Sequence, residues 1–139
     1  MRPRSNTNSR PHEDLPLRRT YHTANPWCEY CVPLMGVSKF RRDTATEVDH
    51  IMQAGRYDVI TNLIACCHDC HRRKHELGAS GKILGLWVKH TKGELHPEEL
   101  SRLMRRPLLG WLEVERDKLP KGDWAEIMAT EILEGADDG

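Results

Sequence analysis

The apolar and polar positions of the chain fall into two regimes. From His96 onward they follow helical spacing. His96-Pro97 opens "PEELSRLMRR", with proline at the first helical position and acids in the first turn, where the helix dipole favours them. Pro107 interrupts, and "LLGWLEVERDKL" predicts a second helix that runs to Pro120. "DWAEIMATEIL" predicts a third, with Asp123 as N-cap, Glu126 completing a capping box and Gly135 as a stop. Upstream the pattern is shorter and more broken. "TATEVDHIM" is Thr-rich and β-branched, which predicts a strand over residues 45–50. A loop with Gly55 at its turn follows, then a second short strand near residues 58–60. A helical pattern begins at Asn62 and predicts a helix over about residues 67–77, closed by Gly78. "ILGLWVKHTKGEL" is apolar but interrupted by Gly85 and Gly93, so its pattern fixes no element. "DLPLRRTYHTANPW" predicts no more than one short helical turn, and the polar residues 1–14 predict a flexible segment.

Composition bounds this picture. A chain of 139 residues makes one domain, or a small domain with an appendage. Leu, Ile, Val and Phe together number only 28, so the core is small, and a short chain of this kind often gets help from a metal or disulfides. The cysteines choose between the two. The first twenty residues hold no apolar run, and no stretch approaches the roughly 20 apolar residues of a membrane span. These features predict a cytoplasmic protein with reduced thiols and no membrane partner. Five cysteines, four of them in C-x-x-C pairs, then predict metal binding. The net charge is zero, yet residues 1–80 carry +3 and residues 81–139 carry −3. From Asp123 to Gly139 there are six acids and no base, so this end of the chain would repel DNA.

Cys28-x-x-Cys31 and Cys67-x-x-Cys70 each offer two sulfurs on one turn, and together they supply the four tetrahedral ligands of a structural zinc. Thirty-five residues separate the pairs, more than the usual 15–20 of a zinc ribbon, so something is inserted in the clasp. Cys66 reads either as a small buried hydrophobe or as a ligand at x3 spacing from Cys70. The insert holds "VDHI" and "TNL", and His71 follows the second pair at once. A histidine such as His50 offers a neutral imidazole near pH 7, and Asp49 is an acidic oxygen ligand suited to Mg²⁺ or Mn²⁺. Strand neighbours point to opposite sides, so the two residues leave the strand in different directions.

The order C-x-x-C … DH … N-L-x-x-x-C-x-x-C-H-x-x-K resembles the cysteine-containing branch of the HNH endonuclease family. Cys28, Cys31, Asp49, His50, Asn62, Leu63, Cys67, Cys70, His71 and Lys74 carry the resemblance, over residues 28–75; residues 1–20 and 80–139 match nothing. It implies an α+β fold: a small ββα-metal (His-Me finger) core with a four-cysteine zinc site and a C-terminal helical extension. On that basis residues 1–20 are a flexible segment, 21–80 the nuclease domain and 81–139 the extension with its acidic end. The resemblance also implies roles. His50 is the general base, Asp49 and His71 hold the catalytic cation, and a twist near the DH pair lets both residues serve one site. Asn62 hydrogen-bonds backbone across the loop between the strands. His75, four residues after His71, is either a third ligand, as in the colicin-like branch, or a solvated residue or phosphate contact. Arg72, Arg73 and Lys74 are either phosphate contacts or a solvated helix face. His68 is an exposed bystander. The cofactors implied are structural Zn²⁺ and a catalytic Mg²⁺, Mn²⁺ or other divalent ion; the partner is DNA, double-stranded, with a protein partner as a further option at the C-terminal helices. After "VDHI" the family has Pro and a Gly-rich stretch, whereas this chain has "MQAGRYDVI", with Arg56 and Tyr57 new. The alternative function is a non-catalytic zinc module that binds nucleic acid or protein, but such a module has no use for Asp49, His50 and Asn62.

Overall fold

In the computed structural model, residues 12–138 are described; the expected flexible segment therefore lies outside them for residues 1–11. Helix α1 (Leu15–Ala24) is ten residues long, more than the single turn the sequence predicts. Asp14 caps it, its Oδ1 accepting from the Leu17 amide at 3.0 Å, and Pro16 sits in the first turn. Tertiary packing completes it: Leu17 and Tyr21 lie against the sheet. A five-residue helix α2 (Cys31–Met35) ends at Gly36, which adopts a φ of 69° as a left-handed C-cap.

The sheet has two antiparallel strands, β1 (Glu47–His50) and β2 (Leu63–Cys66), with Glu47 opposite Cys66 and His50 opposite Leu63. The second strand thus lies five residues beyond the predicted position of 58–60. A tight 3₁₀ turn occupies Ile60–Asn62, and β2 is "LIAC", buried at all four positions. A strand covered on both faces reads as a continuous apolar run, without the alternation that marks a half-exposed strand. The cover comes from two sides. Leu63, Ala65 and Val48 pack with Tyr21 and Leu17 of α1. Ile64 and Cys66 belong to the larger cluster on the opposite face.

That second face is covered by α3 (His68–Glu76) and α4 (Ala79–Lys92). The three remaining helices are α5 (Pro97–Met104), α6 (Leu108–Asp117) and α7 (Trp124–Asp138). A single apolar cluster runs from Cys28, Tyr30 and Ile51 through Ile83, Leu86 and Leu100 to Leu112, Ala129 and Ile132. The readings of Gly85 as an interruption and Gly135 as a stop change here. Helix α4 passes straight through Gly81 and Gly85. A Cβ on Gly81 would sit 2.0 Å from the Lys74 carbonyl oxygen, and one on Gly85 would sit 2.9 Å from Ile51 and 3.1 Å from the Tyr30 hydroxyl. The glycines therefore permit close approach and do not interrupt the helix. Likewise α7 continues past Gly135, whose missing side chain admits the His90 ring. At the start of α7, Asp123 accepts from the Ala125 amide and Glu126 from the Gly122 amide.

The elements are tied together by a buried polar network. Lys89 of α4 is fully buried; its ammonium lies 4.2 Å from the centre of the Tyr21 ring, donates to the Tyr21 hydroxyl at 2.7 Å and pairs with Glu94 at 2.8 Å. Tyr21 in turn donates to Glu29, which also accepts from the Ala65 amide of β2 and pairs with Lys92. Each charge in this network thus has a partner, as the interior requires. Tyr57 Oη donates to the Leu103 carbonyl oxygen and the His96 amide donates to Thr61, so α5 is strapped to the loop between the strands.

A Gly81→Ala substitution should force α3 and α4 apart. The expected cost is about 2–3 kcal/mol, from overpacking against backbone that cannot yield. Chemical denaturation checks this, and an unchanged midpoint would contradict the close contact.

Candidate functional site

Two clusters of ligand-type side chains lie on the α3 side of the sheet. The first is Cys28, Cys31, Cys67 and Cys70: all four are buried, and their sulfurs lie within 4.8 Å of one another. Cys28 and Cys31 flank the start of α2, while Cys67 is the N-cap of α3 and Cys70 lies in its first turn. Cys66 stays outside the cluster, in β2, where burial raises its thiol pKa. Three of the thiols, Cys28, Cys31 and Cys70, are shifted in conflicting directions by one another and by burial. The Cys70 thiol, hydrogen-bonded to Cys28, lowers Cys28 to about 5; burial pushes Cys31 up to about 11, and the same bond to Cys28 pushes Cys70 up. A divalent thiophilic cation removes that conflict, and four thiols in a closed buried site suit zinc.

The second cluster is Asp49, His71 and His75, whose ligand atoms also lie within 4.8 Å of one another. Asp49 is buried on β1. Its Oδ1 faces both imidazoles, 3.1 Å from His71 Nε2 and 3.2 Å from His75 Nε2. Its Oδ2 accepts from Tyr30 Oη at 2.8 Å and pairs with Lys74 Nζ at 2.9 Å. The two histidines stand one turn apart on α3, ring centres 4.8 Å from each other. His71 Nδ1 lies 2.9 Å from Glu47 Oε1. A carboxylate can only accept, so Nδ1 carries hydrogen and Nε2 is directed at Asp49. Glu47 therefore stands to His71 as an outer carboxylate stands to a metal-bound histidine. Burial would raise the Asp49 pKa, but the hydrogen bond from His71 and the charge of Lys74 outweigh it and hold it below the usual carboxylate range. The Asp49 bond raises His71, whereas burial lowers His75. One carboxylate oxygen and two imidazole nitrogens fit a divalent ion of the Mn²⁺, Ni²⁺ or Zn²⁺ type better than Mg²⁺, which prefers oxygen throughout.

His50 lies apart from this cluster. As the neighbour of Asp49 on β1, it faces the α1 side, and its Nε2 is 2.6 Å from Asp58 Oδ1. Asp58 is itself buried, with Arg18 Nε at 3.0 Å and the Asp14 amide at 2.7 Å from its Oδ2. Burial would raise its pKa, but the Asp14 amide, His50 and Arg18 bring it below the ordinary value. Asn62 reaches neither cluster. It is buried and spans the loop, accepting from the Met52 amide at 2.9 Å and donating to the carbonyls of Met52 and Tyr57. Its own carbonyl accepts from the Ile51 amide.

The basic run on α3 divides. Arg72 and Arg73 are exposed, Arg72 beside Glu76 at 3.5 Å. Lys74 is turned inward and buried: it donates to the carbonyls of His50 and Ile51 at 3.0 Å and pairs with Asp49, so it is not placed to meet a phosphate. His68 is exposed, 3.4 Å from Glu47. Four residues that shape the site carry no signal of their own in the motif: Glu47, Tyr30, Asp58 and Arg18. Glu47 alone had a legible cue, two places before Asp49 and so on the same strand face. The other three meet their partners through folding across 8 to 40 positions.

Residues 28–77 match the family model described as HNH endonuclease, a segment of 50 among 139 residues. Searches of curated proteins and of solved structures each found no match. Among the described residues, no helix is long and apolar enough to cross a membrane.

Two outcomes are expected. Cys70→Ser should lower the zinc content of the purified protein by about one ion per chain relative to the unsubstituted protein, measured by elemental analysis. Binding of Mn²⁺ or Ni²⁺ at the Asp49 cluster should weaken at low pH. His71 is protonated up to a higher pH than an ordinary histidine, so the loss is about tenfold for each unit below its pKa. Isothermal titration across pH checks this; a pH-independent affinity would exclude displacement of that proton.

Proposed function

We propose that this chain, which carries an HNH endonuclease domain over residues 28–77, is a metal-dependent endonuclease that hydrolyses phosphodiester bonds of double-stranded DNA. The observation that carries the reading is the convergence of Asp49 Oδ1 with His71 Nε2 and His75 Nε2 on one strand face, beside a histidine whose ring is held by a buried carboxylate. A closed zinc clasp alone would require none of these groups.

In this reading Asp49, His71 and His75 would hold a divalent ion. Such an ion would supply charge neutralisation at the phosphate and the leaving oxygen. His50 takes a proton from the attacking water as that oxygen bonds to phosphorus and the P–O bond to the leaving oxygen breaks. Because Asp49 and His50 leave β1 on opposite faces, the phosphate must lie at the strand's end, where the chain bends at Ile51 and Met52. Lys74 fixes that end by holding the carbonyls of His50 and Ile51 together with the Asp49 carboxylate. Asn62 keeps the loop closed behind it. Tyr30 holds the second Asp49 oxygen and so aims the first at the histidines. Arg72 and Arg73 are the exposed cations of α3 and would position the DNA backbone without reading its sequence. The four-cysteine site holds the start of α3 on the α2 knuckle, and so fixes where His71 and His75 stand.

Supercoiled plasmid incubated with Mn²⁺, Ni²⁺ or Mg²⁺ should be nicked or linearised, with Mg²⁺ the weakest of the three. His50→Ala at equal zinc content should lower the rate by about 10²–10⁴-fold, and His75→Ala should raise the concentration of ion required. Wild-type protein that leaves the plasmid intact with every ion would remove the nuclease reading and leave a zinc module.

A further inference from the structure

Asp58 belongs to no motif, yet it is the hydrogen-bonded partner of the His50 ring. Its side chain has no exposed surface, and both of its oxygens are engaged. Oδ2 accepts from Arg18 Nε at 3.0 Å and from the Asp14 amide at 2.7 Å, while Oδ1 lies 2.6 Å from His50 Nε2. A carboxylate supplied with a guanidinium and an amide is held as the anion, and an anion can only accept. The hydrogen between Asp58 and His50 must therefore sit on Nε2. In a neutral imidazole this leaves the lone pair on Nδ1, and no protein group is hydrogen-bonded to Nδ1 among the described residues.

We infer that Asp58 is the positioning residue of His50: it selects the tautomer whose acceptor is Nδ1, and Arg18 of α1 holds Asp58 in that position. When Nδ1 accepts a proton from water, His50 becomes an imidazolium against a carboxylate that remains ionised; the proton stays on the ring. Arg18 lies ahead of the matched segment 28–77, so a residue outside the family domain completes its base. Arg18 is itself steadied by Glu13, 3.1 Å from its second nitrogen. The catalytic consequence rests on the nuclease reading given above. The tautomer does not, and it is measurable in a protein that cuts nothing.

The test is long-range ¹H–¹⁵N correlation on histidine-labelled full-length protein, with the His50 signals assigned by His50→Gln, paired with single-turnover cleavage of a duplex. Wild type should show His50 as the Nε2–H tautomer. Asp58→Asn should lose that single signature and slow cleavage by about 10²-fold or more, with the apparent KM for duplex within about threefold and zinc content unchanged. Asp58→Glu should recover part of both. If Asp58→Asn does not fold, Arg18→Gln, at a partly exposed position, replaces it: the Nε2–H signature should broaden into a mixture and the rate should fall about tenfold. An Nδ1–H tautomer in wild type, or full retention of signature and rate in the folded variants, would overturn the assignment. Correct tautomer shifts in a protein without cleavage would leave Asp58 as assigned and remove only the nuclease reading.

Discussion

Two strands of four residues cannot hold together in water unless something covers them. That constraint organises the molecule. One face of the hairpin is covered by α1 through Leu17 and Tyr21, the other by α3, α4 and the apolar cluster behind them. Burial on both sides forces every polar group on the hairpin to find a partner, and strand alternation decides on which side. Asp49 and Glu47 meet α3; His50 meets Asp58, which Arg18 of α1 holds. The separation of Asp49 and Glu47 from His50 is thus a consequence of pleat and burial.

Helix α3 carries unusual chemistry for nine residues because it is fixed at its first turn. Cys67 and Cys70 place its start in the thiol cluster, and one turn further His71 and His75 reach Asp49. Lys74, between them in sequence, turns back into the core and neutralises part of the Asp49 charge. Its burial is tolerated because the ammonium has three acceptors: the carbonyls of His50 and Ile51, and Asp49. Removing one member of such a group leaves the others unpaired in a low-dielectric interior.

Elements outside the matched segment belong to the same architecture. Helix α1 brings Arg18 to Asp58 and Tyr21 to the Lys89 network. Helix α5 holds the inter-strand loop through Tyr57 and Thr61, the region in which this chain departs from the family's Pro and Gly-rich pattern. Trp87 of α4 donates to Glu131 of α7, and Gly135 admits His90 between the same two helices. The C-terminal helices therefore share a core with the hairpin and bear on the loop that leads from His50 to Asn62.

The sequence by itself determined which ligand-type side chains stand at local spacing, their order, and most helices. The C-x-x-C pairs and the His71/His75 spacing are local, and caps and prolines act within a turn; these are short-range rules that a pattern of residues can carry. It left β2 misplaced, because a strand buried on both faces has no alternation, and it left α4 unassigned, because a packing glycine and a breaking glycine are the same letter. Only the tertiary structure decided that Lys74 faces the core, that His75 joins Asp49, and that Asp58, Arg18, Tyr30 and Glu47 surround the site. Those outcomes depend on which groups burial brings within hydrogen-bond distance across tens of residues, and partners chosen by desolvation leave no periodic trace along the chain.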